Sequence, residues 1–168
     1  MALLDRLASV AGRKSMVQFV DLGTGAGQDF LVPSALRANV ALYPVDARGL
    51  EVHVPFGEAA TGYSFGHAGG ISGGFEMIDG MTSQMAAWSE QASVLAEVAA
   101  ATGGESVANN NDLEVIFRRV EENGRGLYLL GYYLSGPMLD GRFHRVEVKV
   151  SRDHVQVRAK AGYLAPRP

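Results

Sequence analysis

The stretch that most constrains the fold runs from Lys14 to Gly27, where a short apolar run ends on an acid and then breaks into glycines. The run predicts a buried β-strand that carries Asp21 at its C-terminal end, followed by Gly23 and Gly25. In an open α/β sheet, ligands bind beyond the carboxyl ends of the strands. An acid followed by glycines at this position therefore predicts a site, and two classes of protein fit it.

The first class is a methyltransferase-like domain that binds S-adenosylmethionine. Its glycines let the backbone approach the cofactor, which is the role that Gly23, Gly25 and Gly27 would take. A second acid holds the ribose hydroxyls, and Asp46 closes the next apolar run, 40–45. Against this class, Pro33 interrupts the helix whose N-terminus should follow the glycines. This class is therefore the alternative interpretation.

Composition excludes several other functions. The chain has 168 residues, of which 47% are hydrophobic and 20% charged, as expected for one globular domain. Its net charge of −3 argues against a nucleic-acid partner. It has no cysteine, which excludes disulfides, thiol nucleophiles and cysteine-ligated zinc. Asp5 and Arg6 interrupt the apolar start, so we expect no signal peptide, and no run reaches the roughly 18 apolar residues of a membrane span.

The periodicity of the apolar residues predicts an α/β order of elements up to about residue 124. In chain order we expect a helix over 2–11, a strand over 15–21, a short helix from about Val32, a strand over 39–46, a glycine-rich loop over 57–80, a helix from Thr82 or Ser83 to about Ala101, a strand over 105–109, and a helix capped by Asn110 or Asn111. The continuous apolar character of 39–46 favours a parallel strand that is buried on both faces.

The last forty residues change from helical to alternating periodicity. Valines alternate with charged or polar residues over 146–150 and 155–159, and the segment 127–135 is a third strand-like run. The pattern predicts a three-stranded antiparallel meander. We therefore divide the chain into an α/β part, 1–124, with an insertion at 57–80, and a strand extension, 125–168, packed on the same domain.

Six segments carry a resemblance to a known family. They are GRKSMVQFVD (12–21), RANVALYPVDARGL (37–50), LAEVAAATGGESVANNNDLEVIFRRV (95–120), GLYLLGYYLSG (126–136), FHRVEVKV (143–150) and VQVRAKAGYLAP (155–166). With these, the chain resembles the C-terminal part of a von Willebrand factor type A domain, and more narrowly the bacterial von Willebrand A-related proteins. The resemblance implies a partial Rossmann-like parallel sheet flanked by helices, and it does not cover 57–80.

The resemblance also implies a role and a metal position. Type A domains place an Asp-x-Ser-x-Ser loop after the first strand, a threonine on a second loop, and an aspartate after the fourth strand. Asp21 matches that last aspartate, whereas no Asp-x-Ser-x-Ser motif occurs in the chain. Since Mg²⁺ requires near-octahedral oxygen ligation, Asp21 implies an incomplete site unless the missing half is supplied from elsewhere. The implied role is non-enzymatic protein–protein interaction or adhesion, with no catalytic residue and an exported or cell-envelope location.

The resemblance further implies an uncovered sheet edge. In a complete type A sheet the first strand lies beside the fourth, so without it the strand 15–21 presents an unpaired apolar edge. We therefore expect a homo-oligomer through this strand.

A simpler hypothesis gives the two acids structural roles instead of ligand-binding roles. In this hypothesis Asp21 caps nearby backbone amides, and Asp46 organises the turn formed by Ala47, Arg48 and Gly49. The four histidines are isolated and indicate no metal site or catalytic triad.

Overall fold

The structure is a computed structural model that describes residues 2–20, 28–49, 71–133 and 139–167. It confirms an α/β class. The elements are α1 (Ala2–Ala8), β1 (Lys14–Val20), α2 (Gln28–Arg37), β2 (Val40–Asp46), α3 (Ile71–Thr102), α4 (Glu114–Arg125), β3 (Phe143–Arg145) and β4 (Gly162–Leu164).

A parallel pair of strands forms the centre of the molecule. β1 and β2 pair in register from Lys14 opposite Val40 to Val20 opposite Asp46. All seven residues of β2 are buried, as the continuous apolar run predicted. On the far side of β2, Val107 forms a parallel bridge to Val45. The predicted strand 105–109 is therefore wrong as an extended strand, since pairing there is confined to this one residue.

The end of α3 explains why pairing beside β2 is so short. The backbone N–H of Leu42 donates to Thr102 Oγ1 at 3.0 Å, so a helix residue takes the place of a neighbouring strand. Gly104 follows so closely that an added Cβ would lie 2.7 Å from the Leu42 carbonyl carbon and closer still to its oxygen. Only a glycine fits this contact, and the chain pairs with β2 only after it, at Val107.

Helices cover both faces of the parallel pair. On one face, residues of α1, α2 and α3 pack on β2; the buried members of this cluster are Leu4, Ala35, Ala38, Val40, Leu42 and Val98. On the other face, α4 packs on the sheet; its buried cluster is Ala41, Tyr43, Val45, Val107 and Ile116. The sheet is thus the middle of three layers, a common arrangement for a parallel sheet.

The start of α2 differs from the prediction. The helix runs from Gln28 to Arg37 with Pro33 inside it, rather than beginning near Val32. Proline there removes one intrahelical hydrogen bond and costs up to about 3 kcal/mol. Ala35 in the helix and Ala38 just after it are nevertheless buried in the cluster that packs on β2. The helix therefore follows residue 27 directly.

The start of α3 also differs. The prediction placed the cap at Thr82 or Ser83, whereas the helix begins at Ile71. Its C-terminal part is anchored by the buried Leu95 and Val98, and extending an existing helix costs far less than nucleating one. The predicted loop is therefore wrong over 71–80, and 57–70 lies outside the described residues. The predicted end is confirmed, since Gly103 follows the helix with a φ of +76°.

The cap of α4 is neither of the two predicted asparagines. The helix begins at Glu114, and the backbone N–H of Glu114 donates to Asp112 Oδ1 at 3.0 Å. Asn110 instead accepts from the backbone N–H of Asp112 at 2.7 Å. The N-cap position is occupied by Leu113, which makes no side-chain capping hydrogen bond.

The predicted meander is wrong in the described residues. Antiparallel pairing occurs between β3 and β4, while 127–133, 146–150 and 155–159 are not strands. The last of these segments is held elsewhere, because Arg158 pairs with Glu105 and the N–H of Ala161 donates to the Ala101 carbonyl. The segment 127–133 is solvent-facing, and Tyr133 is fully exposed. Residues 134–135 lie outside the described part.

Candidate functional site at the carboxyl edge of the sheet

Asp46 marks the carboxyl edge of the parallel sheet. It is the last residue of β2, and its side chain is fully buried. Its backbone N–H donates to the Val107 carbonyl at 2.8 Å. A buried carboxylate at a strand end requires partners, since an unpaired charge there is strongly destabilising. The identity of those partners decides what Asp46 does.

Arg48 supplies those partners. Its Nε donates to Asp46 Oδ1 at 3.0 Å, its Nη2 donates to Oδ2 at 3.0 Å, and its backbone N–H donates to Oδ1 at 3.1 Å. Burial raises the pKa of Asp46, but the hydrogen bonds and charge of Arg48 outweigh burial, so the net pKa is lowered. Both oxygens of the carboxylate thus bind within the turn, in agreement with the turn-organising hypothesis.

Two loops meet beside this pair. Gly49 has a φ of +74°, and an added Cβ would collide with the side chain of Asn111. Glycine is favoured there because of the left-handed backbone, and a side chain would also displace that of Asn111. The loop after β2 and the loop before α4 are therefore packed together, and they close one side of the carboxyl edge.

Asp21, like Gly23, Gly25 and Gly27, lies outside the described residues. Its neighbour Val20 pairs opposite Asp46, so the chain leaves β1 at the same edge of the sheet. The helix after the glycines begins at Gln28, which is where a nucleotide-type site requires a helix N-terminus. The objection based on Pro33 is therefore wrong.

Within the described ranges, no three His, Asp or Glu side chains form a group suited to a metal ion. His144 contacts Asp140 at 3.0 Å and stacks on Tyr163 with ring centroids 5.2 Å apart. His154 lies in a turn with a φ of +61°. His53 and His67 lie outside the described part of the chain.

The outer edge of β1, on the side away from β2, is a second feature of the sheet. The N–H of Lys14 donates to the Asn39 carbonyl and the carbonyl of Val20 accepts from Ala47, so the even-numbered residues of β1 bond to β2. By the alternation of a strand, the N–H and C=O groups of the odd-numbered residues point away from β2. These residues are Ser15, Val17 and Phe19. No described strand pairs with β1 on that side.

Sequence reasoning missed the role of Arg48. It identified Asp46 and assigned the turn to residues 47–49, but it named no partner for the carboxylate. The signal was present, since an arginine two residues after a strand-end acid reaches back over one turn to bind both oxygens. Such a pair is best found by asking which cation neutralises each buried acid.

No family model, curated protein or solved structure matches this chain. Among the described helices, none combines the length and apolar character that a membrane crossing requires.

Proposed function

We propose that this chain is a non-enzymatic protein–protein interaction module of the von Willebrand A-related type. The observation that carries the proposal is the buried Asp46–Arg48 pair. It occupies the β2 carboxylate that a ribose-binding site would use, whereas no described strand pairs with the outer edge of β1. A sheet edge of this kind binds extended segments of protein through main-chain hydrogen bonds.

The element order supports the family assignment within this proposal. A parallel β1–α2–β2 unit is followed by a helix and a further parallel contact at Val107. Asp21, directly after β1, is proposed as the remnant of a metal-ion-dependent adhesion site, with Mg²⁺ bound only where another chain supplies the missing ligands. In that arrangement the metal contributes to binding a partner, and the chain performs no chemical step.

S-adenosylmethionine binding is the second candidate, and one observation favours it. Helix α2 begins at Gln28, directly after the third glycine, so its N-terminus is available to negative groups. In this reading Asp46 would hold the ribose, which requires Arg48 to release a buried carboxylate. Breaking such a pair costs several kcal/mol, and this cost makes the second candidate the weaker one.

Isothermal titration calorimetry with S-adenosylmethionine separates the two candidates. The interaction-module proposal predicts no saturable heat at micromolar concentrations. Micromolar binding that is lost in both Asp21→Ala and Asp46→Asn would overturn it in favour of the methyltransferase-like domain. Asp153→Asn, a change at an exposed turn, is the matched control and should leave any such binding intact.

A further inference from the structure

The outer edge of β1 has the chemistry of a strand acceptor. Ser15, Val17 and Phe19 present their backbone N–H and C=O groups away from β2. The strand is seven residues long, carries one charge, Lys14, and contains no proline. Natural edge strands usually carry charges, prolines or bulges that block further pairing. The described part of β1 has none of these beyond its first residue.

We propose that a second copy of this chain pairs with this edge, antiparallel, about a two-fold axis at Val17. This inference deepens the proposed interaction role by naming the partner, and it rests on that role. Antiparallel pairing places together residues whose hydrogen-bonding groups face each other. Only a register that pairs odd-numbered residues with odd-numbered residues satisfies this condition. The axis at Val17 pairs Ser15 with Phe19 of the second copy, and Val17 with its own equivalent.

The side chains of β1 suit this self-pairing. Phe19 is 51% exposed, and in this register its ring lies opposite the small side chain of Ser15, which leaves room for it. Lys14 lies opposite Val20, and its amine donates to the Val10 carbonyl at 2.6 Å within its own chain. No two like charges therefore face each other across the pair. Because the axis is two-fold, each copy makes the same contacts to the other.

The exposed segment 127–133 is the rival occupant of this edge. It is apolar, and Leu129 is 94% exposed. However, it is not a strand in the structure, so it would lose conformational entropy on docking. β1 is already ordered by β2 and the helices, and a preorganised strand avoids that cost. This difference favours pairing of β1 with β1.

Light scattering on the full chain at tens of micromolar tests the association itself. We expect the mass of a dimer, and Val17→Pro should restore the monomer. Proline at 17 removes an N–H that faces the partner and leaves the bonds to β2 intact. A monomeric native chain would overturn the inference. If the chain is monomeric but Ser15 contacts another protein, the proposed interaction role still holds. Binding of S-adenosylmethionine would overturn that role instead.

Cysteine pairing tests the register, because the natural chain has no cysteine. Val17→Cys should oxidise to a disulfide-linked dimer, since facing Cα atoms lie about 5.5 Å apart. Ser15→Cys alone should not, because its two copies lie roughly 14 Å apart, four residues along the strand and one strand across. Ser15→Cys mixed with Phe19→Cys should cross-link again. A dimer that lacks this pattern, as pairing through 127–133 would produce, contradicts the inference.

Discussion

At the residue scale, Asp46 and Arg48 determine how the chain responds to acid. Arg48 lowers the Asp46 pKa in the folded state, so above a pH of about 4 the folded carboxylate contributes its full stabilisation. That contribution is lost as the pH falls through the lowered pKa. Asp46→Asn should reduce the free energy of unfolding by about 1–3 kcal/mol at neutral pH and flatten its dependence below pH 4. Urea unfolding across pH measures this, with Asp153→Asn as the control; an unchanged acid limb would contradict it.

Gly104 gives a second prediction at this scale. Ala at this position would place its Cβ against the Leu42 backbone, which lies between β1 on one side and the Thr102 hydroxyl on the other. We expect Gly104→Ala to lower stability by at least about 3 kcal/mol. Gly124→Ala is the matched control, because it lies in α4 with nothing within 4 Å and should gain up to about 1 kcal/mol. Equal effects in thermal unfolding would show that the contact at 104 is not tight.

At the element scale, Pro33 distinguishes the observed start of α2 from the predicted one. In the observed helix it lies past the first turn, so Pro33→Ala restores an intrahelical hydrogen bond. We expect the substitution to raise stability by about 1–2 kcal/mol after the gain in unfolded-state entropy is subtracted. Pro166→Ala, outside any helix, should not stabilise the chain. A neutral or destabilising Pro33→Ala would instead support a helix that begins near Val32.

Elements with strong local signals were predictable from the sequence, and those set by tertiary contacts were not. The buried run of β2 and the glycine after α3 were read correctly because apolar continuity and a left-handed residue are local signals. The strand at 105–109 was not, because the fit of Gly104 against Leu42 shortens it. The prediction of a strand at 155–159 was also wrong, because Arg158 forms an ion pair with Glu105, which is distant in the sequence. Long-range contacts of this kind produce no periodic pattern in the sequence.

In the candidate site, too, the features with local signals were predictable and those set by tertiary contacts were not. The position of Asp46 at the carboxyl edge was predictable, because it closes an apolar run, and the turn assignment agreed with the structure. The start of α2 was not predictable, since a proline rule was weighed without the packing of Ala35 and Ala38. Sequence reasoning therefore identified the edge but misjudged the helix beside it.

At the scale of the whole molecule, the metal proposal predicts a weak response to divalent ions. If Asp21 is the remnant of an incomplete site, the isolated chain binds Mg²⁺ and Mn²⁺ only with dissociation constants above millimolar. Binding then stabilises by less than about 0.4 kcal/mol, which shifts Tm by no more than about 1–2 °C. A rise of several degrees that disappears in Asp21→Asn would mean that the chain completes the site by itself.

The proposed function requires that this chain bind protein along the outer edge of β1. The most direct measurement places a photo-crosslinking amino acid at Ser15 on that edge, or at Glu122 on the exposed face of α4 as the control, in cells that produce the chain naturally. Mass spectrometry then identifies the adducts. We predict one discrete protein adduct at Ser15, either a second copy or another protein, and none at Glu122. No protein adduct at Ser15, or equal labelling at both positions, would contradict the claim.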